Sequence, residues 1–528
     1  MKLPRPWVLQ AFLSVLVFSP SGTHAQDTRC RRLGVAPVRY AALAEEAASA
    51  DPPDPCLAEY LRGVNMSKRE PNGALIGSEH SVELLRSALA KAEAAWGADS
   101  VKLVPFLEGL AWQVWQSAPG GYDTAPSKYW DEPEALDRRA IAITEKAYGP
   151  EDPHVVEFLS ELARVVVSKE DFSQGERIHL RMLAIDEKAD GPEGTSLLYP
   201  LEQLANDYIG EARIAMNTAV GTCKLGDDCT TIYEAIQNRR NEQTEPVLAR
   251  AVEIQKKSPG PNGQFLLQPM TKLAEFYRTE GKTAEPEDLY RQIADIQTKV
   301  YGPSSSQVVG TWLTLGQLYQ RQGDYAQAEA YFQLVLGATK QQRPANQGSS
   351  NTAAALMDLG RLSADQKKTE EAKAYYQQAV AAVTSRYSPD DPNQNSALFN
   401  LVTPLEYIAG LYAQIGLYDD AQALYLRVMS IEENNPLLVP NYVMTLQHYA
   451  NFLWNTLKRL DDAQAVYLKA ITVCQRNPKL NHPIYVDTLQ SYANLLRQMN
   501  RPQDAEKVDE QVEALKGKTA SKVDMPAQ

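Results

Sequence analysis

"TWLTLGQLYQRQGDYAQAEAYFQLVL" runs from Thr311 to Leu336, and its reading decides the fold. Trp312, Leu315, Leu318 and Tyr319 recur at helical spacing and predict one apolar face. Gly323 then stands where a helix stops, because a positive φ costs glycine little. Asp324 is placed to cap a second helix, whose face is Ala328, Tyr331, Phe332, Val335 and Leu336. Small Gly316 and Ala328 fall where the two arms must come closest. The stretch is a helix–turn–helix hairpin, and one hairpin cannot bury its own apolar face.

The hairpin recurs outward in both directions. "LAEFYRTEGKTAEPEDLYRQI" (Leu273 to Ile293) repeats it with Tyr277, Gly281 and Tyr290, and "LGRLSADQKKTEEAKAYYQQA" (Leu359 to Ala379) with Ala372 and Tyr376. "IAGLYAQIGLYDDAQALYLRV" (Ile408 to Val428) adds Tyr412, Gly416, Ala421 and Tyr425. "TLQHYANFL" (Thr445 to Leu453) and "TLQSYANLL" (Thr488 to Leu496) agree at seven of nine letters, 43 residues apart, and are the first helices of the last two units. Neither copy contains a nucleophile–base pair, so the likeness reads as matching faces of stacked units rather than a duplicated active site.

Registered on the small position of the second helix, the units fall at Pro286, Ala328, Ala372, Ala421, Ala463 and Ala505, in steps of 42, 44, 49, 42 and 42. Weaker copies lie upstream at Ser81, Pro133, Gly175 and Thr244, in steps of 52, 42 and 69 before the 42 that reaches Pro286. One extra residue between the helices of the Thr445 unit accounts for 43 rather than 42.

The pattern W…LG…Y…A…F resembles the tetratricopeptide repeat family, over roughly Ser81 to Leu515. The period is longer than that family's usual 34. Between units recur "AIAITEKAYGPEDPHVV" (Ala140 to Val156), "MLAIDEKADGPEG" (Met182 to Gly194) and "IADIQTKVYGPSSSQVV" (Ile293 to Val309), with "ALAKAEAAWGADSV" (Ala88 to Val101) as a diverged copy. Long second helices ending in Gly-Pro resemble the kinesin-light-chain-like subgroup. The resemblance implies an all-α, right-handed superhelical solenoid of helix–turn–helix units, about ten in number. It also implies a concave groove lined by first helices and suited to a peptide or protein segment.

The expected layout is a signal peptide at 1–25, an N-terminal cap at 26–80, the solenoid at 81–515 and a disordered tail at 516–528, with insertions near 119–133 and 209–243. Lys2 and Arg5 followed by an apolar run from Trp7 to Phe18, with Thr23 and Ala25 before the cut, predict export. The periplasm or the cell exterior is then the expected location. The apolar run is too short to span a bilayer comfortably, and no later stretch offers an integral membrane span. Hydrophobic residues make up 44% of the chain and the net charge is -13, which predicts a folded protein and argues against a nucleic-acid partner.

Export favours oxidised cysteines. Cys30 and Cys56 flank the segment before the first unit, and Cys223 and Cys229 enclose "KLGDD", so bridges Cys30–Cys56 and Cys223–Cys229 are expected, with Cys474 free on an apolar face. No histidine or third cysteine lies near Cys223 and Cys229, so a metal site there is poorly supported.

Cofactor and catalytic motifs are not legible: the sequence has no Walker loop, no G-x-G-x-x-G and no G-x-S-x-G. Three function classes therefore stand: a binding scaffold, a structural subunit of an envelope assembly, and an enzyme with a site hidden in an insertion. For the scaffold, the family's inward positions flanking the first-helix core carry amides and arginines here. Asn206, Asn451 and Asn494 each follow an Ala at the close-contact position; Gln447 and Gln490 sit one turn earlier; Arg278, Arg321 and Arg497 fall just after the Tyr or Leu that ends the apolar face. Amides can donate to and accept from an extended backbone, and arginines can take carboxylates bidentately.

Overall fold

The structure is a computed structural model describing residues 46–54, 57, 79–117, 128–222, 229–341, 350–385, 394–433, 435–477 and 482–523. It is all-α, and it divides into two compact units, 1–254 and 255–528.

The first unit holds α1 (Glu79–Trp96), α2 (Val104–Gln116), α3 (Lys128–Tyr148), α4 (His154–Ser168), α5 (Phe172–Asp190), α6 (Leu198–Thr222) and α7 (Thr230–Lys257), which ends just past the division. The second holds α8 (Leu267–Thr279), α9 (Ala284–Tyr301), α10 (Ser306–Gln322), α11 (Tyr325–Gln341), α12 (Ser350–Asp365), α13 (Thr369–Thr384) and α14 (Gln394–Gln414). It continues through α15 (Tyr418–Glu433), α16 (Val439–Asn451), α17 (Leu460–Arg476), α18 (His482–Gln498) and α19 (Pro502–Val523). Consecutive helices pack on one another from α1 to α6 and from α8 to α19, which is the hairpin solenoid expected from the repeat.

The register holds throughout. All ten small positions, from Ser81 on α1 to Ala505 on α19, are buried. A Cβ on Gly316 would overlap the Phe332 ring, and one on Gly360 would overlap Tyr376, so glycine there permits the close approach of first and second helices. Gly323 ends α10 in the left-handed region at φ 80, and the Gln327 N–H donates to Asp324 Oδ1 at 3.1 Å to start α11. Trp312 departs from expectation: it is half-buried, and Leu313 takes an inward place instead. The buried face of α10 is wide because α9, α11 and α12 all pack on it.

The extra residue of the Thr445 unit lies within the first helix rather than in a loop. Phe452–Thr456 form a π turn, and the Leu457 N–H donates to Phe452 O at 3.2 Å. One added residue widens one turn, which keeps the flanking faces in register. The Arg459 N–H accordingly reaches Leu453 O at 2.9 Å, where the last unit closes the same corner from Arg501 to Leu496, also at 2.9 Å.

The insertion near 209–243 is mostly helix: it lengthens α6 and α7 to 25 and 28 residues. That near 119–133 delivers Trp130 to the core at 2% exposure, beside Trp115. At the far end α19 continues to Val523, so the tail expected to be disordered from 516 is helical to that point. Of the expected cap, Ala47, Ala48 and Leu57 pack into the core cluster with Leu85 and Ala88.

The expectation of two defined disulfides is corrected: no bridge joins two described cysteines. Cys474 is free and buried, as expected, and Cys229 is disulfide-bonded to a sulfur outside the described residues. Cys30, Cys56 and Cys223 also lie outside the described residues. The pairs inferred from spacing are therefore not carried further, because a loop length alone cannot fix the Cβ geometry a bridge requires.

One repeated device joins successive second helices of the first unit. Arg139 Nη1 meets Glu93 Oε1 at 2.5 Å while its Nη2 donates to Ala98 O at 2.8 Å. Arg181 Nη2 meets Glu145 Oε1 at 2.5 Å and Pro150 O at 2.7 Å. Arg250 Nη2 meets Glu187 Oε1 at 2.9 Å and Pro192 O at 3.1 Å. Each arginine stands six residues past its small position, at Pro133, Gly175 and Thr244, so the clamp recurs in register despite the unequal steps. Lys146–Asp99 at 2.7 Å and Lys188–Glu151 at 2.5 Å flank two of these clamps.

Candidate functional site

The residue directly after the close-contact Ala or Gly of a first helix is half-buried or exposed rather than buried in the hairpin core. In the first unit these positions are Trp112, Arg164 and Asn206; in the second they include Glu275, Gln317, Arg361, Asn451 and Asn494. Together with the residues three or four before them, they make up the first-helix face of each unit.

In the first unit this face carries an aromatic–cation cluster. The Arg164 guanidinium lies 3.8 Å from the Trp115 ring centre and 4.6 Å from that of Trp112, and Glu161 accepts from its Nε at 3.1 Å. The two indole rings are 5.4 Å apart. Trp115 is buried and Trp112 half-buried, so part of the cluster reaches solvent. Next along the face, Ser160 donates to the hydroxyl of Tyr199, whose ring is 46% exposed. The Tyr199 hydroxyl is held above the ordinary phenol range, first by burial.

In the second unit side chains link successive first helices. Gln317 on α10 donates to Asp358 on α12 at 2.8 Å, and Gln320 donates to Asp365 at 2.8 Å. Burial pushes the Asp358 carboxyl up, against the opposing effects of Gln317 and Arg361. Arg361 pairs with Asp358 at 3.2 Å and donates to the Tyr407 hydroxyl on α14 at 3.3 Å. Glu406 and His448 Nδ1 on α16 lie 2.6 Å apart, and that hydrogen bond raises the histidine pKa. Gln447 donates to Thr488 Oγ1 on α18 at 2.5 Å. The ladder holds each polar group on a rigid helix, while Tyr407 and Met444 remain nearly half exposed beside it.

The residues expected from sequence divide by role. Gln447 ties one first helix to the next, and Asn451 accepts from the buried Tyr467 hydroxyl at 3.0 Å, bracing its own hairpin. Arg497 is ion-paired with Asp509 on α19, and its Nη1 donates to Asn494 Oδ1 at 3.1 Å. Arg278 is half-buried beside Tyr290. Asn206, Arg321, Gln490 and Asn494 are exposed, with Asn206 donating to Gln203 at 3.2 Å. Sequence reasoning missed Trp112, Arg164, Arg361 and Tyr407. The signal for three of them was present: "LAW", "LAR" and "LGR" place them where "LAN" and "YAN" place the asparagines.

Among the described residues no group of three or more His, Cys, Asp or Glu could hold a metal. A His–acid pair does occur in the core, His179 Nδ1 with Asp207 Oδ2 at 2.5 Å, both nearly inaccessible to solvent. Burial is the larger influence on Asp207 and raises its pKa. The pair joins α5 to α6. Among the described residues no helix is long and apolar enough to cross a membrane.

Tetratricopeptide repeat profiles match residues 265–341 and 442–518, and a second such profile matches 352–393. No curated protein matches the chain. Among solved structures, BtubC (BKLC) from P. vanneervenii is 16% identical, with 50% of this chain and 95% of that chain covered and a TM-score of 0.34. Aspartyl phosphate phosphatase F from Bacillus subtilis is 12% identical over 73% of this chain and 89% of that one, at a TM-score of 0.36. The apo quorum sensor NprR from B. thuringiensis is 13% identical over 74% and 97%, at 0.33.

Proposed function

We propose that this tetratricopeptide-repeat chain is an exported, non-catalytic scaffold that binds a peptide or protein segment on the first-helix faces of its units. The observation that carries the reading is the composition and support of those faces. Tryptophan, tyrosine and arginine side chains are partly exposed yet fixed by neighbours, as at Trp112–Arg164 and Arg361–Tyr407. Such residues dominate binding energy at protein interfaces, and holding them in place lowers the entropy lost on binding.

The test is crosslinking and co-purification from the native host with wild type, Trp112→Ala and the double variant R361A/Y407A. Loss of the same partner from the variants, with helicity unchanged, is the expected result. Undiminished capture by both would move the site off the first-helix faces.

Export rests on the charged start, the short apolar run and the Thr23/Ala25 pair. Intact mass of the native protein should begin at Gln26; a retained Met1 would sink this part of the reading. The long-period, kinesin-light-chain-like assignment rests on the 42-residue step and the Gly-Pro helix ends.

A second reading, a subunit of an envelope assembly, draws support from leucines exposed on second helices. Leu180, Leu334, Leu426 and Leu468 are each more than two-fifths exposed. A stable complex that survives both first-helix variants and is lost on replacing these leucines would favour it.

A further inference from the structure

We propose that the outer cleft between α3 and α5 is a second docking site, for a short acidic peptide segment carrying an apolar residue between its acids. The cleft encloses about 600 Å³ between two neighbouring second helices, with α4 beneath as its floor. Ile141, Leu159, Leu162 and Ile178 supply apolar atoms, and Arg138, Arg177 and Arg181 line the walls with Glu145 as the only acidic lining residue. In a chain of net charge -13, three arginines set against Glu145 and against Glu134, which pairs with Arg138, still leave the cleft a local positive excess. Anions are drawn to such a patch more strongly than the total charge would suggest.

The arginines also retain donors. Arg138 uses Nε and Nη2 on Glu134, at 3.0 and 2.8 Å, and its Nη2 also reaches the Gln174 amide oxygen. Arg181 uses only Nη2, on Glu145 and Pro150 O. Among the described residues Nη1 of both side chains has no hydrogen-bond partner. Arg177 is exposed and feels Glu211 only through a longer-range attraction. A guanidinium offers five N–H donors, so a ligand carboxylate can be added without breaking the existing pairs.

The spacing selects the ligand. Gln174 on α5 marks one end of the cleft, beside Arg138 on α3, and Arg181 marks the other, beside Glu145 on α3. Seven residues of helix separate Arg138 from Glu145, about 10 Å at 1.5 Å per residue. A peptide in the polyproline II conformation, with three residues per turn, brings positions i and i+3 back to one face about 9 Å apart, which places two acidic side chains against the two ends. The cleft is open along one side, which suits a segment that keeps half its surface in water better than a small molecule needing enclosure.

The experiment is fluorescence anisotropy on the full chain with a labelled hexapeptide GELAEG, a lysine counterpart GKLAKG and a control GESAEG. The wild type should bind the acidic peptide, weaken with added salt, and ignore the lysine peptide. Arg177→Glu should lower affinity ~10-fold or more, which is at least ~1.4 kcal/mol, and Arg177→Gln by less. The serine control should bind more weakly than the leucine peptide. Absence of acidic-peptide binding at low salt, or equal binding by R177E, would overturn the proposal. So would sedimentation showing a wild-type dimer that R177E dissociates, because the occupant would then be a second copy of the chain. Partner loss in W112A leaves this outcome untouched, so the two sites are tested separately.

Discussion

Glu432 shows how far a single residue can be taken. It sits on α15 at 1% exposure against the fully buried Thr445 of α16, with the Glu406–His448 pair nearby. Burial pushes its carboxyl up to about 8 from 4.5, Glu406 adding to the shift and Thr445 and His448 opposing it. Between these two values the unfolded chain has released the proton and the folded one keeps it, so the unfolded state binds fewer protons. Stability is thus fullest below about pH 4.5 and falls as pH rises toward 8, with a ceiling on the order of a few kcal/mol. Glu432→Gln, neutral at every pH, should remove this part of the slope in denaturant midpoints between those limits; an unchanged slope would show that the carboxyl is not titrating in the folded chain. Gly316 gives a second test at this scale, since any Cβ there meets Phe332. Gly316→Ala should cost ~1–3 kcal/mol despite alanine's better helix propensity. The close-contact glycine was legible in the sequence, because packing repeats with the period. The ionisation of Glu432 was not, because it depends on neighbours from two other helices.

Among elements, the π turn at Phe452–Thr456 explains a mismatch that the sequence exposed but placed wrongly. A 43-residue offset can be absorbed in a loop or within a helix, and only backbone hydrogen bonds distinguish the two. Because the turn holds one residue more than an α-helix needs, deleting Asn455, which is exposed, should convert it to ordinary α-helix. The deletion should leave the melting temperature close to wild type, whereas deleting Gln447, earlier in the same first helix, should rotate every later side chain and unfold the unit. A large loss from the Asn455 deletion would mean that the wide turn is needed for packing Trp454. The insertions teach the same lesson. Their polar, Gly-bearing sequence reads as surface excursion, yet most of the longer one extends α6 and α7. Sequence periodicity alone does not reveal that both stretches continue their flanking helices.

At the scale of the whole molecule, the two units differ in how continuous their apolar clusters are. Both also carry ion pairs between second helices, Lys373–Asp420 and Lys469–Glu433 in the second. The second contains a continuous buried apolar cluster from Ala353 to Val512. Among the described residues the first is divided into smaller clusters, one around Leu85 and Phe106, one around Leu159 and Met182, and one around Leu197 and Ile254. The arginine clamps cross the joints between second helices there: Arg139–Glu93, Arg181–Glu145 and Arg250–Glu187. All six side chains are roughly one-third exposed, so each pair contributes no more than ~1 kcal/mol and salt reaches it. Their backbone bonds to Ala98, Pro150 and Pro192 fix the loop ends as well, so losing the pair also loosens the loop. At ~1 M salt the screening length shrinks to about 3 Å, while burial of apolar surface is not weakened. Hydrogen exchange measured on the intact chain should therefore show first-unit helices α3, α5 and α7 losing protection at high salt while α12 to α18 keep theirs. The variant R139A/R181A/R250A should show the same loss at low salt and little further change when salt is added. Equal salt response in both units, or a full salt effect remaining in the triple variant, would assign the stacking of the first unit to its apolar contacts instead.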